Sequence, residues 1–232
     1  YYLLNKAISF RPNKKTKLKI INRISDVLIA MGQTEKALSF LQEQIRVESF
    51  DGINEKLVLI SFLTEIPDSI LHNIKLSFNN IDPSNHSFND LMELKNLVFK
   101  YGNENSNYDS FKYFQKSELL IRQKKLGDAI KELEYLVDNF PESTIKPLAH
   151  LRLAVLNFQL GNLSNALGYA LLLDDTEFAD KGIILSGQIY EIQGEDKDRP
   201  IDQYMRILND FTYSIYYEPI RHHVRKMQKA KS

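Results

Sequence analysis

Titratable side chains are plentiful in this 232-residue chain, yet their spacing does not converge on a reaction. The five histidines are His72, His86, His150, His222 and His223. No two stand four apart, the step that places two ligands on one helix face, and adjacent His222 and His223 point to different sides of a helix. No metal site is expected. Cysteine is absent, which excludes a disulfide framework, a thiolate metal site and a cysteine nucleophile. Neither a Walker-type run nor a dinucleotide fingerprint occurs, so no nucleotide cofactor and no small-molecule substrate is evident. Carboxylates cluster at Asp174, Asp175, Glu177 and Asp180, and again at Glu195, Asp196 and Asp198. Such clusters offer the oxygens a hard cation wants, but the first lacks the alternating, glycine-hinged spacing of a calcium loop. Both read as solvated turns. No Ser, His and acid follow one another in an arrangement that specifies a triad, and the chain is read as non-catalytic.

Charge is distributed unevenly beneath a net of zero. Residues 1–25 hold seven Lys or Arg and no acid, and residues 220–232 hold five and no acid. The 194 residues between them carry a net of −12. Basic ends are candidates for nucleic acid or anionic lipid, with solvated surface as the simpler reading. No aromatic interleaves the C-terminal bases after Tyr217, as a single-strand stacking platform would require. No nucleic-acid partner is expected. No window approaches about eighteen uninterrupted apolar residues, so there is no transmembrane segment. The chain begins Tyr1-Tyr-Leu-Leu with neither an initiator Met nor a signal segment and reads as a piece of a longer one.

The elements that would position any site are helices. With 43% hydrophobic and 26% charged residues, the chain has the composition of an ordinary globular domain. Nine Gly and seven Pro are too few for a loop-rich sandwich. Ile20, Ile21, Ile24, Val27, Leu28 and Met31 step by three and four, the mark of a one-sided helix. Arg11-Pro12 ends the helix before it, because proline cannot continue one and restricts its neighbour. Gly32-Gln33-Thr34 separates the next pair. Pairs follow at 55–64 with 67–78, and a helix over 91–101 starts from Ser87 as a cap. Gly102 to Asn107, the most polar turn-rich stretch, is read as a flexible joint. From Tyr108 hairpins run 108–124 with 127–139, 145–160 with 163–173 and 177–193 with 200–210, and a last helix over 214–226 has the polar outer side of a terminal cap. Eleven to thirteen helices and no sheet are expected. The domains are an N-terminal set of degenerate repeats over 1–107, a C-terminal set with its capping helix over 108–226, and a basic tail over 227–232.

Landmarks recur along these hairpins. Gln123-Lys-Lys-Leu126-Gly127-Asp128-Ala129 through Phe140-Pro141-Glu142-Ser143 returns as Gly161-Asn162-Leu163 with Ala166, and as Gln193-Gly194 through Phe211-Thr-Tyr-Ser214. In the best unit Tyr113, Ser117, Leu120, Ala129, Leu133 and Pro141 stand where the tetratricopeptide repeat pattern has its aromatic, small, large, Ala, apolar and Pro positions, and the chain resembles that family. Ala154, Gly161 and Ala166 fill the next unit, and Gly187, Tyr190 and Gly194 the one after, with Pro200 where Ala is expected. Ala7 and Pro12, then Ser25, Leu28, Gly32 and Ala37, match near the start. The resemblance covers 108–226 and, more thinly, 1–48. It implies an all-α, right-handed α-solenoid of stacked antiparallel helix hairpins. The phrase from Phe140 to Ser143, followed by Pro147-Leu-Ala149 and Leu151 to Ala154, is similar to bacterial envelope members of the family.

In this family the first helices of successive hairpins line a groove for a partner segment. Carried over, those positions are Phe114, Glu118 and Arg122, then Leu151, Val155 and Phe158, then Ile184, Gln188 and Glu191. Members that clamp a C-terminal carboxylate use Lys and Asn at several of these places, where this chain has Phe114, Leu151, Val155 and Ile184, so that mode is not expected. The apolar stripe has two readings, a binding groove or burial by superhelical packing. The function implied is a scaffold binding a protein or peptide segment, with envelope assembly as its setting. The competing readings are the repeat region of a larger enzyme or regulator, and an adaptor using the basic ends on nucleic acid or anionic lipid. Periplasmic or outer-membrane-associated and cytoplasmic locations both stay open.

Overall fold

A computed structural model of the protein describes residues 1–47, 52–79, 81, 87–102, 108–196 and 198–229. Among these there are thirteen α-helices and no strand. They fall into two compact units, Tyr1–Ala129 and Ile130–Ser232. The joint expected at 102–107 lies, from 103 onward, outside the described residues.

The first unit contains α1 (Tyr2–Ser9), α2 (Lys14–Ala30), α3 (Thr34–Val47), α4 (Ile53–Thr64), α5 (Pro67–Phe78), α6 (Ser87–Tyr101) and α7 (Asp109–Arg122), and ends in the first turn of α8 (Leu126–Asn139). Pro12 stops α1, and Asn13 starts α2 by accepting the Thr16 amide at 2.9 Å, which satisfies one of the donors every helix start leaves open. Ser87 already lies inside α6, so a cap would fall on residue 86, outside the described residues. The centre of the unit is α4, which packs against α2, α3, α5 and α7 and buries Ile53, Val58, Ile60, Phe62 and Leu63. Helices covered on several sides lose the one-sided pattern, which is why this stretch read as irregular. From α7, Gln115 donates to the carbonyls of Phe62 at 2.7 Å and Glu65 at 2.8 Å, filling acceptors that the end of α4 leaves unpaired.

The second unit holds the rest of α8, with α9 (Lys146–Gln159), α10 (Leu163–Leu171), α11 (Ala179–Gln193), α12 (Arg199–Asp210) and α13 (Tyr217–Lys229). Its three inter-hairpin turns are copies of one another. The Ser143 amide donates to Phe140 O and the Lys146 amide to Ser143 O; Thr176 and Leu173, then Ala179 and Thr176, repeat the pair, as do Ser214 and Phe211, then Tyr217 and Ser214. Ser214, expected to open the last helix, belongs to this turn, and the helix starts at Tyr217 and runs on to Lys229. Residues 230–232 of the expected tail lie outside the described residues. Arg206 of α12 pairs with Asp174 in the second of these inter-hairpin turns at 3.1 Å, and Ser214 Oγ in the third donates to Asp180 of α11 at 2.7 Å.

The turns within hairpins share one geometry across both units. The amides of Gln33, Lys125 and Asn162 donate to the carbonyls of Leu28, Leu120 and Asn157, and those of Gly32, Lys124 and Gly161 to Ile29, Ile121 and Phe158. This is the Schellman closure, whose pivotal residue takes left-handed φ: 75° at Gly32, 62° at Lys124 and 79° at Gly161. The landmark Gly127 is therefore not the pivot of its hairpin. It sits inside α8, and Lys124 occupies the position. Five residues after each pivot stands Ala37, Ala129 or Ala166, all fully buried. Seven residues before stand Ser25, Ser117 and Ala154, also fully buried. The same spacing from Gly194, φ 65°, leads back to buried Gly187.

At Gly187 the reason is measurable, because an added Cβ would stand 2.4 Å from Tyr204 Cε1. Gly187→Ala is expected to cost about 1–3 kcal/mol by overpacking, while Gly168→Ala in α10, where an added Cβ meets nothing within 4 Å, is expected to gain about 0.5–1 kcal/mol. Thermal melts of both variants check the pair, and equal midpoints would contradict the register. Lys124→Gly relieves a left-handed residue and is expected to stabilise by roughly 0.5 kcal/mol, with Gly161→Ala moving the other way. Calorimetry on these two reads the shared turn geometry directly.

Candidate functional site

In the second unit α9, α11, α12 and α13 enclose an open cleft of about 490 Å³. The Phe158 ring comes from the last turn of α9, packed on the Ala154, Ala166, Ala170, Leu185 and Ile189 cluster. Gln188, Glu191 and Ile192 come from one side of α11, Tyr204 from α12, and Pro219, Ile220 and His223 from α13. Ile192 is 59% exposed, so much of its apolar surface is open to water.

Glu191 organises the rim. Its Oε1 accepts the Tyr204 hydroxyl and lies 2.8 Å from His223 Nε2. The Tyr204 and His223 rings meet edge to face with centroids 5.3 Å apart, a favourable aromatic arrangement. Burial, then the hydrogen bond and charge of Glu191, push the Tyr204 phenol well above its ordinary range. Tyr204 stays a protonated donor and is unsuited to act as a base or nucleophile. The cluster joins three helices at the cleft wall. Among the described residues no three His, Asp or Glu side chains group as metal ligands, and no helix is long and apolar enough to cross a membrane.

Of the nine residues the sequence singled out, the structure gathers Phe158, Gln188 and Glu191 into this cleft. Phe114 and Glu118 are buried within α7, and Arg122 is exposed at its end. Leu151 is buried in α9, and half-buried Val155 packs on the same cluster as Phe158. Half-buried Ile184 lies against the second core of Ile183, Tyr204, Ile207, Ile220 and Val224. The sequence reading missed Ile192, Tyr204, Pro219, Ile220 and His223. Ile192 was within reach, standing one turn beyond Gln188 on the same face. The α13 residues were not, because that helix read only as a polar cap. His222, Arg225 and Lys226 are indeed exposed, but Ile220 and His223 turn inward.

Paired helices with a common turn geometry, repeated along the chain, define a helical-repeat protein. A family model for the tetratricopeptide repeat-like domain matches residues 84–213, more than half of the chain, and the protein belongs to that family. Among solved structures it is similar to a thermophilic TPR protein from Thermus thermophilus at 15% identity, covering 89% of this chain and 96% of the other, with a TM-score of 0.42. It is similar also to the TPR domain of P58(IPK) at 13% identity and a TM-score of 0.43, covering 99% of this chain and 64% of that one. No curated protein matches the sequence.

Also on α9, His150 is buried, with its ring tilted against that of Tyr169 at a centroid distance of 6.0 Å. Burial, then the charge of Lys146, lowers its pKa from the ordinary value of 6.5. Between the folded value and 6.5 the unfolded chain binds more protons, so this contribution to stability is present above pH 6.5 and lost as pH falls through the folded value. A His150→Gln variant is expected to show a shallower fall of thermal midpoint than the parent from about pH 7 to 5. Parallel curves for the two proteins would contradict it.

Proposed function

We propose that the protein is a non-catalytic scaffold of the tetratricopeptide repeat-like family that captures a protein segment in the α9–α11–α13 cleft. The observation carrying this reading is the pairing, on one rim, of exposed Ile192 and half-buried Phe158 with polar Gln188 and Glu191. An apolar anchor pocket edged by hydrogen-bonding groups is what peptide-binding surfaces offer, and an unpartnered side chain such as Ile192 gains by being covered. The resemblance of the phrase around Phe140 to Ser143 to envelope members supports a finer reading, that the captured segment belongs to an envelope assembly.

A photo-crosslinking residue placed at Gln188 in the full chain is expected to label a partner protein. Phe158→Ser is expected to remove that labelling with little change in melting, since an anchor of this kind contributes about 2 kcal/mol or more to binding. If Phe158→Ser unfolds the protein, the stripe is core and the reading fails. If labelling persists in a folded variant, the cleft is not the binding surface.

A further inference from the structure

We propose that a separate crevice in the first unit, between α3, α4 and α5, binds a guanidinium group, the side chain of an arginine presented by a protein segment. The crevice encloses about 310 Å³, at the bottom of the range for ligand sites. It suits a single side chain better than a helix or a nucleotide. Leu38, Leu57 and Leu76 supply apolar walls along which an arginine stem can lie.

Glu65 and Asn73 line the crevice, and Ser61, buried beside them, closes the three into a hydrogen-bonded ring. Ser61 Oγ donates to Glu65 Oε2 at 2.8 Å, and Asn73 Nδ2 donates to Ser61 Oγ at 2.9 Å and to Glu65 Oε2 at 3.1 Å. The network sets the amide orientation, because the flipped Asn73 would turn its oxygen on a carboxylate. Every donor of Ser61 and Asn73 is thereby used inside the ring. What remains is acceptors, Glu65 Oε1 and Asn73 Oδ1, carrying one negative charge between them. A ligand here must donate, and a cation is favoured over a neutral donor.

Among the described residues the lining holds no Lys, Arg or His, so none of them answers Glu65 with a positive charge. Two further carboxamides, Gln42 and Asn54, line the same crevice, and several separated acceptors match the planar, multiply donating guanidinium better than the compact ammonium of lysine. The site is also held in advance. Ser61 is in the core, and Gln115 pins the carbonyls of Phe62 and Glu65 from below. Little ordering is then needed on binding.

The test is a titration of the full 232-residue chain, nitrogen-15 labelled, with N-acetyl-arginine methylamide. Saturable shifts of the Asn54 and Asn73 side-chain amide resonances are expected in the millimolar range. The corresponding blocked citrulline, neutral and nearly the same shape, is expected to give none at equal concentration, and the blocked lysine to bind at least about fivefold more weakly. Glu65→Gln is expected to abolish the shifts. Because that change touches the ring, Asn54→Ala, outside it, is expected to weaken binding about threefold or more with an unaltered melt. Absence of saturable shifts, citrulline or lysine matching arginine, or a folded Glu65→Gln variant binding as the parent does would each overturn the assignment. So would binding confined to free arginine, which would mean that the α-groups and not the side chain are recognised.

Discussion

Close approach of paired helices is the constraint on which the rest of the structure depends. In each well-formed hairpin a small residue stands seven positions before a left-handed pivot, and in three of them a buried alanine stands five positions after it. The pivot reverses the chain within a few residues while satisfying the carbonyls at the end of the first helix. The small residues then let the two backbones lie together without a wedge. One geometry, repeated, yields a protein whose stability is largely a sum of neighbour contacts.

The hairpin of α11 and α12 departs from that rule and shows what a departure can be used for. Its turn is lengthened, and Pro200 replaces the alanine. The space opposite Gly187 is filled by Tyr204 from the second helix. A ring laid across the glycine carries its hydroxyl one turn further, to Glu191, and Glu191 also meets His223 of the last helix. The missing side chain at one position thus locates the polar rim of the cleft, and the last helix becomes part of a wall as well as an end cap.

Both polar clusters singled out here are built around a carboxylate whose neighbours donate to it. At Glu191 the donors come from other helices and brace the fold. At Glu65 they come from Ser61 near the end of α4 and Asn73 in the next helix, and Glu65 and Asn73 line a crevice with acceptors to spare. The difference lies in which atoms are left over once internal bonds are counted, and this is what distinguishes a brace from a site able to select a ligand.

The helical repeat was legible in the sequence because it depends on local rules: apolar steps of three and four, prolines that end helices, and the small residues Ser25, Ser117, Ala154 and Gly187 at a fixed distance from the turns. The sequence, through the family resemblance, also pointed to Phe158, Gln188 and Glu191, three of the residues that line the cleft. It could not separate Phe114 and Leu151, which the fold buries, from Phe158, which it leaves half open, since an apolar stripe has the same spacing whether a neighbour covers it or not. The pivot at Lys124 escaped notice because left-handed φ is imposed there by the turn and not by the residue. Tyr204 and His223 took their roles against Glu191 from later helices, and Asn73 took its role against Glu65 from the helix that follows it; only packing, which has no sequence period, decided which atoms met.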